Sequence, residues 1–178
     1  LEQRNVMIFQ KLLSIKAVVL DVDGVMTDGS LQVSEEGHQL RTFYVKDGYA
    51  MQLAIKRGLP IWVISGGRSK GVQSRMEGLG INEVHMGVAD KLTLLKELMG
   101  KYSLEKENLL YMGDDLPDYE VMQAVGFACC PSDAVEEIKE ICHYMSPFAG
   151  GRGAVRDILE KTMKLQGKWS VETTIKSI

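Results

Sequence analysis

Short β-branched runs alternate with longer helical patterns along this chain, and that alternation is its strongest constraint. KAVVLD (16–21), PIWVIS (60–65), NEVHMG (82–87), NLLYMG (108–113) and GFACC (126–130) read as five strands, with HYMS (143–146) a weaker sixth. Between them lie DGYAMQLAIKRG, SKGVQSRMEGLG, DKLTLLKELMGKY, LPDYEVMQAVG and SDAVEEIKE, and GAVRDILEKTMKL follows, all patterned as helices. Strands that alternate with helices imply right-handed crossovers and a parallel sheet covered on both faces. The expected fold is therefore α/β, a Rossmann-like three-layer sandwich. In such sheets ligands bind beyond the carboxyl ends of the strands.

One segment departs from the pattern. SLQVSEEGHQLRTFYV (30–45) stands where a helix should begin, and LQV and LRTFYV flank a turn-like SEEGH. It reads as a β-hairpin inserted after the first strand, overhanging the active face. The 178 residues suit one domain over 1–178 with no cap domain. The stretch 165–178 is expected to be a polar tail. At the start, Val6, Phe9, Leu12 and Leu13 fit one helical face.

Composition narrows the partners. A net charge of -3 disfavours a nucleic-acid binder. No apolar run approaches a membrane span, and LEQRNVMIFQKLLSIK lacks the pattern of a secretory leader. Cys129, Cys130 and Cys142 form no disulfide or zinc spacing, so buried thiols in a reducing, cytoplasmic setting are expected.

The first strand runs into Asp21-Val22-Asp23-Gly24. Residues two apart near a strand end point to the same side, so the two carboxylates repel unless a hard cation such as magnesium joins them. An Asp-rich turn is the plainer reading. A second strand ends in Asp114-Asp115-Leu116-Pro117-Asp118, where capping of a helix N-terminus is the plainer alternative. Two acidic clusters on strands of one parallel sheet should converge. Ser65-Gly66-Gly67-Arg68 follows another strand and offers a hydroxyl and free amides to an anion. Lys91 opens a helix, where the dipole disfavours it, and becomes sensible facing a phosphate rather than solvent. The set fits phosphoryl transfer through an aspartyl-phosphate: Asp21 as nucleophile, Asp23 as acid and then base.

These pieces, in this order, resemble the haloacid dehalogenase superfamily of phosphatases. DVDGVMTDG (21–29), Ser65, Lys91 and GDDLPD (113–118) match its four motifs. Met26 stands where leucine is common. YVKDGYAM (44–51) and AGGRGAVRDILE (149–160) extend the resemblance to a small capless branch acting on phosphorylated sugar acids, over about Ile15 to Lys168. The resemblance implies magnesium held by Asp21, the backbone carbonyl of Asp23, and Asp114, with Asp115 and Asp118 in support. It implies that Thr27 steers Asp23 and that Ser65 and Lys91 hold the phosphate. It also implies homotetramers with hairpins in a central barrel, tails covering neighbouring sites, and a place in lipopolysaccharide sugar synthesis.

Lys46, Asp47, Gly66, Arg68, Arg75 and Arg152 are candidates to read the sugar acid, arginine because its planar fork matches a carboxylate. For each arginine a surface ion pair is the alternative. Leu31, Val33, Leu40, Phe43 and Val45 would gain cover from partner subunits. Eight- and nine-carbon sugar acids remain open. A phosphoacceptor receiver module is disfavoured because Asp23 supplies a base for dephosphorylation. A non-catalytic tetramerising module is disfavoured by four intact motifs.

Overall fold

The computed structural model describes residues 9–175. Its main sheet has six parallel strands, in the order β5 (Glu83–Met86), β4 (Ile61–Ser65), β1 (Ala17–Leu20), β6 (Leu109–Met112), β7 (Phe127–Cys130) and β8 (Tyr144–Met145). The helices are α1 (Val45–Lys56), α2 (Lys70–Gly78), α3 (Lys91–Tyr102), α4 (Tyr119–Gln123), α5 (Glu136–Ile141) and α6 (Ala154–Leu165). All six expected strands are present.

The central strand shows why three layers form. Every residue of β1 is buried, and successive side chains face opposite ways. Val18 and Leu20 join a core with Ala50, Leu53, Val155 and Ile158 of α1 and α6. Ala17 and Val19 join the opposite core with Leu95, Leu98, Val121 and Ile138 of α3, α4 and α5. A strand that feeds two cores has no polar face, which is why it reads as a continuous apolar run.

The hairpin is smaller than its sequence suggests. Only β2 (Gln32–Val33) and β3 (Gln39–Leu40) pair, antiparallel, with Gly37 at φ 80° in the turn. LRTFYV does not continue the strand. The chain leaves the ladder after Leu40, and Val45 already begins α1. Leu31, Val33, Leu40 and Val45 are exposed, Val33 to 63%. Phe43 instead packs against the core beneath the Arg75 guanidinium, 5.4 Å from its ring.

One expectation at the ends needs correction. Val6 lies outside the described residues. Leu12 is fully buried but Leu13 is 56% exposed, because Lys11–Ser14 is a 3-10 turn and not a continued α-helix. The described residues after α6 lie against the chain's own α1 and α6. Trp169 packs edge-on to Tyr49 at 6.5 Å, Tyr49 donates to the Glu172 carbonyl at 2.8 Å, and Lys56 pairs with Glu172 at 3.0 Å.

Asp47 is structural in this arrangement. It is buried on α1, and its Oδ1 accepts the Arg156 amide at 2.8 Å. The helix it serves, α6, has Gly153 at its N-cap and so no side chain of its own to cap with. Asp47 supplies that cap from α1. Its Oδ2 is buried with no hydrogen-bond partner, and burial pushes its carboxyl up to about 6 against two amide bonds that pull it down. A raised folded-state value means that the folded protein binds the proton more tightly. The stability linked to Asp47 is therefore greatest below the unfolded value near 3.8 and is lost as pH rises through about 6. Urea unfolding at pH 4 and pH 7 should show wild type losing about 2–3 kcal/mol more than Asp47→Asn across that interval. Parallel curves would contradict this reading.

Candidate active site

The carboxyl ends of β1, β4 and β6 meet in a cleft of about 350 Å³ lined by Asp21, Asp23, Ser65, Gly66, Lys91 and Asp114, among others. Each arrives there for a local reason. The β1–β6 ladder runs one residue past β1, with the Asp21 amide donating to the Met112 carbonyl at 3.1 Å, so Asp21 sits rigidly at the strand end. The chain then turns sharply, and the amides of Val25, Met26 and Thr27 all point to the Val22 carbonyl. Gly24 holds φ 83°, and a Cβ there would overlap the Asp114 carboxylate. The first motif and the acidic motif are thus pressed together, which only glycine permits.

Beyond the end of β6, Asp118 is fully buried and accepts three hydrogen bonds. Its Oδ1 accepts from Lys91 Nζ at 2.7 Å and from the Tyr111 hydroxyl at 2.7 Å, and its Oδ2 accepts the Asp114 amide at 3.2 Å. Lys91 also reaches Asp21 Oδ2 at 3.0 Å. A buried lysine at the first position of α3 opposes the helix dipole, and two carboxylates outweigh that cost. Burial draws its ammonium down, but Asp21 and Asp118 more than reverse this, so it stays charged with a raised value.

The carboxylates outnumber the cation. Ligand atoms of Asp21, Asp114 and Asp118 all lie within 4.8 Å of one another. Burial first, and then Asp118, push Asp21 up to about 7 against the pull of Lys91. Burial, Asp21, Asp118 and Asp115 push Asp114 up to about 8. Asp114 Oδ1 is buried and has no hydrogen-bond partner. Asp118 is already spoken for, so Asp21 and Asp114 are the side chains with oxygens left for a hard divalent cation. Such a cation would satisfy the orphan oxygen and relieve the mutual repulsion.

Several residues stand elsewhere than expected. Thr27 does not touch Asp23: its Oγ1 accepts the amides of Gly24 at 3.3 Å and Gly29 at 3.2 Å, so it fixes the turn. Asp23 is instead gripped by Arg41, at 2.6 and 3.1 Å. Asp115 does line the cleft beside Asp114, with its carboxylate exposed and accepting the Leu116 amide at 2.8 Å. Among the residues expected to read the substrate, Gly66 lines the cleft and Lys46, Asp47, Arg68, Arg75 and Arg152 do not. Arg68 crosses Gly87, Arg75 covers Phe43, Arg152 approaches Asp28 at 3.5 Å, and Lys46 lines a separate groove beside Tyr44 and Arg156. Sequence reasoning missed Arg41 and Tyr111. The return strand of an insertion that overhangs the site was the available pointer to Arg41. Tyr111 carried no signal, being one apolar-patterned strand residue among several.

A parallel α/β sheet with two acidic strand ends, a hydroxyl loop and a buried lysine defines a phosphate-handling hydrolase site. Residues 70–158 match the family model of haloacid dehalogenase-like hydrolases, and the chain belongs to that family. Within it, the chain is similar to 3-deoxy-D-manno-octulosonate 8-phosphate phosphatase KdsC of Escherichia coli K12, at 35% identity over 90% of this chain and 86% of that protein. The crystal structure of the Yersinia pestis 3-deoxy-D-manno-octulosonate 8-phosphate phosphatase superposes with a TM-score of 0.88, at 35% identity over 90% of this chain and 87% of that one. The Moraxella catarrhalis phosphatase, solved in complex with magnesium, phosphate and KDO, gives 0.88 and 35% over 90% and 92%.

The crowding makes a prediction. Asp114→Asn removes one of the repelling carboxylates. In chelator it should melt a few degrees above wild type, and it should lose the further rise that millimolar magnesium gives wild type. A variant that melts lower in chelator and still responds to magnesium would overturn the assignment of Asp114.

Proposed function

We propose that this protein is a magnesium-dependent phosphomonoester hydrolase that works through an aspartyl-phosphate on Asp21 and releases phosphate from 3-deoxy-D-manno-octulosonate 8-phosphate, in lipopolysaccharide sugar synthesis. The observation that carries it is Asp21, held 3.0 Å from a buried Lys91 with the partnerless oxygen of Asp114 beside it. The sugar-acid phosphatases to which the chain is similar over most of its length support that choice of substrate.

Asp21 Oδ attacks phosphorus while the bond from phosphorus to the ester oxygen breaks. Asp23 gives that oxygen its proton, then takes one from the water that attacks the aspartyl-phosphate. Ser65 Oγ accepts the Gly67 amide at 3.2 Å, which leaves its hydrogen to donate to a phosphate oxygen. Lys91 neutralises charge on the transferring group while keeping Asp21 aimed. Magnesium, held by Asp21, Asp114 and the Asp23 carbonyl, would offset the repulsion between an anionic nucleophile and an anionic substrate.

Three further parts of the reading rest on other observations. A homotetramer is supported by the exposed Leu31, Val33, Leu40 and Val45, near a site over which the described residues place no cap. A reducing, cytoplasmic setting is supported by free thiols at Cys129, Cys130 and Cys142. No helix among the described residues is long and apolar enough to cross a membrane.

Phosphate release tests the proposal. Purified protein with magnesium should prefer the octulosonate 8-phosphate to a nine-carbon nonulosonate 9-phosphate and to an aryl phosphate. Asp21→Asn should lower the rate by about three orders of magnitude or more. Preference for the nine-carbon acid would move the substrate and keep the mechanism. An active Asp21→Asn would end the nucleophile assignment.

A further inference from the structure

Arg41 is the charged residue of the site that the four motifs do not contain. It lies one residue beyond β3, where the hairpin leaves its ladder and returns toward the cleft. Its Nε donates to Asp23 Oδ1 at 2.6 Å and its Nη2 to Asp23 Oδ2 at 3.1 Å, a fork on both oxygens. The arginine side chain is 4% exposed, whereas Asp23 is 34% exposed. A casual surface pair has both partners in water and is worth little. Here the guanidinium is covered and the carboxylate faces the cleft. The pair also rests on the hydroxyl loop: a Cβ on Gly67 would lie 3.3 Å from Asp23 Oδ2 and 3.4 Å from Arg41 Nη2. A side chain there would crowd both groups, so the bare glycine leaves the fork its place.

We infer that Arg41 is a positioning residue for the second half of the reaction, holding Asp23 aimed as the base that activates water against the aspartyl-phosphate. The inference rests on the proposed acid and base role of Asp23. In the first half, the ester oxygen leaves with the Asp23 proton, and the fork must loosen because a protonated carboxyl offers it one acceptor fewer. In the second half, water loses its proton to the ionised Asp23, its oxygen bonds to phosphorus, and the bond from phosphorus to Asp21 breaks. A bidentate guanidinium holds both oxygens of that carboxylate and fixes its rotamer. Because Arg41 belongs to the hairpin, the insertion that overhangs the site also orders its base.

A nitrophenyl phosphate separates the two halves, since its weakly basic nitrophenolate leaving group departs without needing a proton. kcat/KM then reports the steps up to release of the aryl alcohol, and kcat also includes dephosphorylation. For Arg41→Met, kcat should fall about ten-fold or more while kcat/KM stays within about two-fold, and a burst of aryl alcohol equal to the enzyme should appear. Arg41→Lys, which keeps the charge but loses the fork, should fall between the two, and it carries the test alone if Arg41→Met does not fold. Equal losses in kcat and kcat/KM with no burst would mark Arg41 as merely structural and overturn the inference. An unchanged kcat would overturn it as well. Asp23→Asn, run alongside, keeps the two claims apart: wild-type turnover in that variant would refute the acid and base role itself, whatever Arg41 does.

Discussion

The buried ammonium of Lys91 is the interaction on which the site depends. It lies between Asp21 at the end of β1 and Asp118 just beyond β6, at 3.0 and 2.7 Å. Without it, two adjacent strands of one sheet would end in buried carboxylates facing each other in a low-dielectric environment. Removing one member of such a buried cluster leaves an uncompensated charge. The lysine contacts Asp21 and Asp118 but neutralises only one charge, and Asp114 beside them has an oxygen that lacks a partner. With all three carboxylates ionised, the single ammonium leaves an excess of two negative charges, and that imbalance is what a divalent cation would correct.

Around this centre the chain uses backbone contacts more than side chains to set distances. Gly24 lies against Asp114, and Gly150 and Gly151 close on the backbone of Gly24 and Thr27, where a Cβ would overlap main-chain atoms. Gly150 is fixed in turn by its amide bond to Asp133 at 2.9 Å, and Asp47 caps the helix that follows. The late glycine-rich stretch therefore braces the first motif from outside the cleft. Arg41 does the comparable work from the hairpin side, on Asp23.

The strands and the site centre were legible in the sequence because their causes are local. Apolar runs bounded by glycine and proline give the strands, and carboxylates two apart at a strand end give the cluster. The convergence of Asp21, Ser65, Lys91 and Asp114 follows from parallel topology alone. What escaped the sequence depends on tertiary geometry. Asp47 reads in the sequence as a candidate to contact the sugar acid and is in fact buried against α6, which lacks a cap of its own. Arg75 is drawn over Phe43 and Arg152 toward Asp28, and neither choice leaves a mark in spacing. The hairpin's return strand reads as extended through Val45, yet the chain breaks off at Leu40 and Arg41 turns inward.

The central claim is that Asp21 becomes phosphorylated. The most direct measurement is a rapid quench of turning-over enzyme into borohydride, followed by peptide mass analysis. An acyl phosphate on a carboxylate is reduced to an alcohol, so the account predicts homoserine at position 21 and unchanged aspartate at 23, 114, 115 and 118. Reduction at any of those positions in place of 21, or none in enzyme quenched under conditions that accumulate the intermediate, would contradict it.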